Sequence, residues 1–289
     1  MILITGAAGR SGAAVVREFA RQGVPVRALV RDAVRAASLA ALPGVEIVTG
    51  DMLVAATLGP VLDGVERVLM ISGARQRMVE TQCAFIDAAK AAGVPHVVKF
   101  SGAESGIGFD AQAFRGTRAH EEVERYLERS GLAWTHLRPS QFMQTYLVEH
   151  ARSIVAEGAI YAPMGDAVLA PIDIEDIAKI ACAVLRADGQ EGMRYDMTGP
   201  EALTMDEVAE RISTSIGRPV RYVDVTPDEH RRRLAAANVP TDFAELLVEL
   251  YGQRRKHGRA RLALGVHDRF GVVPTTFAEF ARREAAAFR

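Results

Sequence analysis

Three glycines within seven residues open the chain, in Gly6-Ala7-Ala8-Gly9-Arg10-Ser11-Gly12, directly after the apolar run Ile2-Leu3-Ile4 and Thr5. A pyrophosphate group needs free backbone N–H groups at a helix N-terminus and no side chains obstructing its approach. Gly6 permits a tight turn, Gly9 a close approach, and Gly12 the packing of helix against strand. Ala8, Arg10 and Ser11 complete the loop around such a ligand. The spacing is GxxGxxG rather than GxGxxG, but a strand before and a helix after suit a dinucleotide loop better than an empty turn.

The second apolar run ends Ala28-Leu29-Val30-Arg31-Asp32. At this position a carboxylate would accept hydrogen bonds from an adenine ribose, whereas an arginine would attract a 2′-phosphate. Arg31 comes first, and Arg10 in the glycine loop can converge on the same phosphate. Two guanidiniums against one carboxylate favour NADP(H), with NAD(H) as the alternative. Asp51 and Met52, after the third run, are expected at the adenine. Ser72 and Gly73, after the fourth, are expected nearer the nicotinamide ribose, and Ser101 and Arg138, at the ends of the fifth and sixth, complete the expected cofactor set.

A second group of residues has the types needed for proton chemistry. His120 and Glu124 are four apart and share one helical face, so the carboxylate could orient the imidazole. Arg138-Pro-Ser-Gln-Phe142-Met143-Gln-Thr-Tyr146 leaves the sixth strand at the sheet edge where ligands of such folds bind. Phe142 and Met143, with Phe109 from the glycine-rich loop Gly102–Gly116, are expected to form an apolar substrate wall. The loop, which also carries Phe114, reads as a mobile lid. Tyr146 adjoins this wall and joins His120 and Glu124 as a candidate catalytic residue.

The elements that must position these residues follow a βαβ rhythm. Strands are expected at Ile2–Thr5, Val24–Val30, Val45–Val48, Val65–Ser72, Val97–Ser101 and Ala133–Leu137. Helices fall between them, among them Ser11–Arg21, Met78–Ala92 and Thr117–Ser130. The second half is less regular, with short strands at Ala159–Tyr161 and Leu169–Ile172 and helices at Ile174–Leu185, Thr204–Gly217, Pro227–Ala237 and Thr276–Phe288. A seventh strand is expected to return to the sheet near 193–198. The fold class is thus α/β: a Rossmann-type doubly wound parallel sheet over residues 1–150, with a smaller, interleaved α+β substrate lobe over 151–289.

Composition narrows the function classes. The chain has 289 residues, 49% hydrophobic and 25% charged, with a net charge of −1. That balance lacks the basic field of a dedicated nucleic-acid binder, and the basic stretch from Arg254 to Arg261 reads as a solvated helix end. The two cysteines, Cys83 and Cys182, form no CxxC, and the histidines show no metal spacing, so neither a disulfide framework nor a metal site is expected. No apolar run reaches the ~18 residues needed to span a bilayer. A cytoplasmic protein, as monomer or homodimer, with no membrane partner is expected.

Taken together the motifs resemble the short-chain dehydrogenase superfamily and, within it, the NmrA-like group. The resemblance rests on Gly6 to Gly12, Leu29-Val-Arg31, Gly50-Asp51, Ser130 to Pro139, Asp173-Ile-Glu-Asp176, Tyr195 to Glu201 and Gly271 to Phe277. It implies an NAD(P)H-dependent reductase of quinones, triphenylmethane dyes or related conjugated aromatics, or else a dinucleotide sensor without turnover. His120 and Glu124 resemble the His-x-x-x-Glu helix of the reductases. The Tyr-x-x-x-Lys pair of ordinary short-chain dehydrogenases is missing: Tyr126 leads to Ser130 and Tyr146 to His150. The expected reaction is therefore direct hydride transfer to a planar apolar substrate, quinone-like or an aromatic natural-product intermediate, with the proton supplied by water or His120.

Overall fold

The structure, a computed structural model, describes residues 1–73, 77–102 and 114–289. Side chains alternate along a strand, and in the central strands both alternating sets are apolar. Leu3, Val68 and Val97 point into one layer, while Ile4, Leu69 and Val98 point into the other, all fully buried. Strands of this kind need helices on both faces and suit a parallel sheet.

Seven strands form that sheet: β1 (Ile2–Ile4), β2 (Val26–Val30), β3 (Val45–Thr49), β4 (Arg67–Met70), β5 (His96–Phe100), β6 (Ala133–Pro139) and, later in the chain, β8 (Met193–Met197). Their order is β3-β2-β1-β4-β5-β6-β8, and all pairs are parallel. A separate parallel pair joins β7 (Ala159–Ala162) to β9 (Arg221–Asp224).

The helices of the first half are α1 (Arg10–Arg21), α2 (Ala37–Ala40), α3 (Gly59–Leu62), α4 (Met78–Ala91) and α5 (Arg115–Arg129). Those of the second half are α6 (Thr145–Glu149), α7 (Ala151–Glu157), α8 (Ile174–Arg186), α9 (Met205–Ile216), α10 (Pro227–Ala236), α11 (Thr241–His257), α12 (Gly265–Phe270) and α13 (Phe277–Arg283). Val15 and Phe19 of α1 meet Ile177 and Ala181 of α8 on one face of the sheet. Phe85 and Ile86 of α4 meet Val123 and Leu127 of α5 on the other. A second core, with Ile160, Ile212, Phe277 and Phe280, holds the C-terminal lobe together.

Three acidic residues brace that lobe. The Asp173 carboxylate caps α8 by accepting from the Glu175 N–H at 3.1 Å, and also accepts from Gln144 and Arg283, each at 2.7 Å. Asp176 accepts from the Thr275 N–H at 2.6 Å and Glu201 from the Phe277 N–H at 2.7 Å. These bonds join segments far apart in the chain, which gives the Asp173–Asp176, Tyr195–Glu201 and Gly271–Phe277 motifs a structural role.

Several elements differ from the sequence reading: β9, α6, α7 and α12 were not expected, and the expected helix Thr276–Phe288 ends at Arg283. Leu169–Ile172 is not a strand: Leu169 bridges to Leu203 and Ile172 to Phe142, so the run is divided between unrelated partners. Helix α11 has no single apolar stripe to reveal it. Leu247, Val248 and Tyr251 are buried in core clusters, while Phe243, Leu246 and Leu250 also line a cavity, so apolar side chains wrap much of its circumference.

Candidate functional site

Reversal of strand order between β1 and β4 opens a crevice at the carboxyl edge of the sheet, the usual ligand position in such folds. Thr5 holds the two strand ends together: its hydroxyl donates to the Ile71 carbonyl at 2.7 Å and accepts from the Ile71 N–H at 2.8 Å. Gly6 has φ +58°, and a Cβ there would stand 2.8 Å from the Ile71 carbonyl oxygen. A Cβ on Gly12 would lie 2.4 Å from the Gly6 oxygen. Gly9 caps α1 without a side-chain hydrogen bond, and the first N–H groups of a helix have no partner within it. Ala8 and Arg10 are exposed on the loop, and Ser11 faces the cavity described below. A side chain at Gly6 or Gly12 would collide with this backbone, so the glycines keep the tight turn that leads into the α1 N-terminus, and that turn fits a pyrophosphate.

At the end of β2, Arg31 is exposed, whereas the Asp32 carboxylate accepts from the Val34 N–H at 2.9 Å and caps a short 3₁₀ turn. Asp51 is occupied in a similar way, accepting from the Leu53 N–H at 2.9 Å. Met52 departs from its expected place at the adenine: its side chain is buried in the core with Leu3 and Leu29. Ser72 faces the cavity and its hydroxyl accepts from Gln82 at 2.9 Å, while Gly73 is exposed beside it.

The cavity, of about 680 Å³, runs from Ser11 past the ends of β4, β5 and β6 to His120. Phe100, Phe114 and Phe142 line it, as do Phe243, Leu246 and Leu250 of α11. Glu149, also in the lining, accepts a hydrogen bond from Tyr251, and burial raises its pKa even so. A volume of this size and lining suits a planar apolar molecule beside the reactive end of a dinucleotide.

Behind His120 lies a buried polar chain. Lys99 of β5 is fully buried, and its Nζ stands 3.0 Å from His120 Nδ1 and 3.3 Å from Ser101 Oγ. Ser101 donates to Glu124 Oε1 at 2.5 Å, and Arg138 grips both Glu124 oxygens, from Nε at 3.0 Å and from Nη2 at 2.5 Å. Burial presses the Lys99 ammonium down to about 7, although the nearby Glu124 charge works against that shift. Burial, followed by the neighbouring Lys99 charge, lowers His120 to about 3, so its ring is neutral at pH 7. Burial would raise Glu124, but the hydrogen bonds from Arg138 and Ser101 and the nearby positive charges outweigh it and hold the carboxyl at about 2.

Several sequence expectations are corrected here. Glu124 does not orient His120, because its two oxygens are taken by Ser101 and Arg138 and the hydrogen bond to the ring comes from Lys99. Arg138 and Ser101 belong to this chain rather than standing free for a cofactor, although Ser101 also borders the cavity. Tyr146 is fully buried, with its hydroxyl against the Met205 sulfur at 3.7 Å and its ring edge-on to Phe277, so it does not reach the cavity. Met143 is also a core residue. Phe109 and most of the proposed lid lie outside the described residues. Arg254 is buried rather than solvated, and Arg255 and Arg259 pair with Asp224 and Asp166.

Glu124, Glu128 and His136 place ligand atoms within 4.8 Å of one another, but Arg138 and Arg194 already pair with the two carboxylates. The sequence reading missed Lys99 and the α11 lining. Lysine inside the otherwise apolar run His96-Val-Val-Lys99-Phe100 was the available signal, since a buried charge is rare without a partner. No helix among the described residues is long and apolar enough to cross a membrane.

Known proteins resemble this chain in sequence and in fold. The chain is 36% identical over 288 residues to the NAD(P)H azoreductase of Xenophilus azovorans, covering 100% of this chain and 99% of that enzyme. Its fold superposes on the NADPH-dependent quinone oxidoreductase of Escherichia coli, solved with NADPH, with a TM-score of 0.87, 28% identity and coverage of 98% and 99% of the two chains. The Citrobacter sp. triphenylmethane reductase, solved with NADP(H), gives a TM-score of 0.86 at 25% identity, with coverage of 99% and 100%. Matched over residues 1–281, from the glycine loop through the acidic braces to α13, the chain belongs to the NmrA-like family.

Proposed function

We propose that this chain is an NAD(P)H-dependent reductase of planar, apolar, conjugated substrates such as quinones and azo or triphenylmethane dyes. One observation carries the reading: the aromatic-walled cavity is continuous from Ser11 at the glycine loop to His120. Azoreductase, quinone oxidoreductase and triphenylmethane reductase relatives support the same class.

The glycine turn holds the pyrophosphate, and exposed Arg31 and Arg10 favour NADP(H) over NAD(H) because Asp32 is engaged in its cap. When bound, the reduced nicotinamide supplies a hydride. The chain contributes a largely apolar cavity, lined by Phe142 and by Phe243, Leu246 and Leu250 of α11, against which the acceptor would stack. His120 offers an N–H to the substrate heteroatom on which negative charge develops, taking the place of the absent tyrosine.

Steady-state NADPH consumption with benzoquinone, menadione, an azo dye and a triphenylmethane dye tests the reading. Turnover with at least one acceptor supports it. Tight NADPH binding with no acceptor reduced replaces it with a dinucleotide sensor.

A further inference from the structure

Lys99 has no role in the function proposed above, yet it is a fully buried charge-bearing side chain of the central sheet. Burying an ammonium is unfavourable unless its donors are used. Its Nζ donates to Ser101 Oγ and lies 3.0 Å from His120 Nδ1, within hydrogen-bond distance. An ammonium can only donate. While Lys99 is charged, His120 Nδ1 must therefore be the bare nitrogen, and the ring proton must sit on Nε2.

We propose, on the reading of His120 as the donor in the cavity, that Lys99 is a positioning residue that selects the Nε2–H tautomer of His120 and passes a proton to Nδ1 when Nε2 gives its own away. After hydride arrives on a quinone or azo acceptor, the Nε2–H bond breaks and a new bond forms between that proton and the anionic oxygen or nitrogen; a cationic triphenylmethane dye becomes neutral on hydride addition and needs no such proton. The Nζ–H bond of Lys99 breaks as Nδ1–H forms, leaving a neutral amine and a neutral ring. Once product leaves, Nε2 takes a proton from water in the cavity and Nδ1 returns its proton to Nζ. The cycle consumes one solvent proton for each hydride.

The surroundings suit this role. Among the described residues, Cys83 of α4, His120 and Glu124 of α5, and His136 and Arg138 of β6 are the titratable and charged groups around Lys99. Burial leaves Lys99 near 7, so it can lose and regain a proton around neutral pH. Glu124 cannot compete for that proton, because its oxygens are filled by Arg138 and Ser101. Ser101 links the two ends by donating to Glu124 while accepting from Lys99.

The direct test is ¹⁵N NMR of the histidine-labelled full chain without cofactor, with the His120 signals identified by their loss in His120→Gln. The expected result is the Nε2–H tautomer at pH 6, with the Nδ1 signal shifting as Lys99 titrates near 7. A ring found as Nδ1–H at pH 6, or one insensitive to pH across that range, overturns the proposal. Lys99→Met adds a kinetic arm: kcat should fall by about 10²-fold with KM for the acceptor little changed, and the loss of rate above neutral pH should disappear. Unaltered kcat in a folded Lys99→Met protein also overturns it. If no acceptor is reduced at all, the proposed function fails while the tautomer measurement remains decisive for Lys99.

Discussion

Arg138 clasps Glu124 from the neighbouring strand, donating through Nε at 3.0 Å and Nη2 at 2.5 Å to opposite oxygens of one carboxylate. The pair anchors α5 to β6 and leaves His120, one turn earlier on α5, to Lys99. Two-pronged pairs of this kind are the stronger charge-assisted bonds. Removing one partner leaves a buried charge uncompensated.

Arg138→Ala should therefore destabilise the fold by about 3–5 kcal/mol, read by urea unfolding. Glu124 titrates near 2 in the folded chain against an ordinary 4.5. Its contribution is thus complete above pH 4.5 and lost as pH falls through 2, on the order of 3 kcal/mol in all. The variant should lack most of that acid-limb loss. A destabilisation under about 1 kcal/mol, the scale of an exposed pair, would contradict the assignment.

Arg31→Ala should weaken NADPH binding about 10- to 100-fold and leave NADH untouched, as expected for one charge-assisted contact to a 2′-phosphate. Calorimetric titration of both nucleotides separates the two effects. Equal losses for NADPH and NADH would place Arg31 in the fold rather than at the phosphate.

His120→Ala should lower kcat by about 10²-fold without changing NADPH affinity, if its N–H acts mainly on developing charge. His120→Gln keeps a donor and should lose less. Full kcat with reduced thermal stability in His120→Ala would make the residue structural.

Tyr146→Phe is the control for the core assignment. The hydroxyl gives up only a 3.7 Å contact with the Met205 sulfur, so kcat should stay within about twofold and stability within about 1 kcal/mol. A large kcat loss at unchanged stability would return Tyr146 to the catalytic set.

Much of the architecture was legible because strand and helix periodicities differ and because glycine spacing at a strand end has few uses. The alternating apolar faces of β1, β4 and β5 and the positions of Gly6 and Gly12 are of this kind. What remained hidden depends on three-dimensional partners. Spacing alone put Glu124 behind His120, but Arg138 comes from another strand and outcompetes the ring as a partner for that carboxylate. Lys99 is 21 residues from His120 in the chain, so a search for lysine four residues after a tyrosine passes over it. Tyr146 and Met143 look like a substrate wall in sequence, but the acidic braces and α13 close a core over them. Helix α11 was hidden because its apolar side chains serve both a core and the cavity.

Direct hydride transfer in the cavity that ends at His120 is the reaction we propose for this chain. Its most direct measurement follows deuterium from (4R)- and (4S)-[4-²H]NADPH into the leuco product of a triphenylmethane dye by mass spectrometry, because that carbon-bound label does not exchange with water. The account predicts that one epimer alone delivers its deuterium to the central carbon of the dye, with a primary isotope effect on turnover. Leuco product free of deuterium from both epimers, or no reduction of the dye or any other conjugated acceptor, would contradict it.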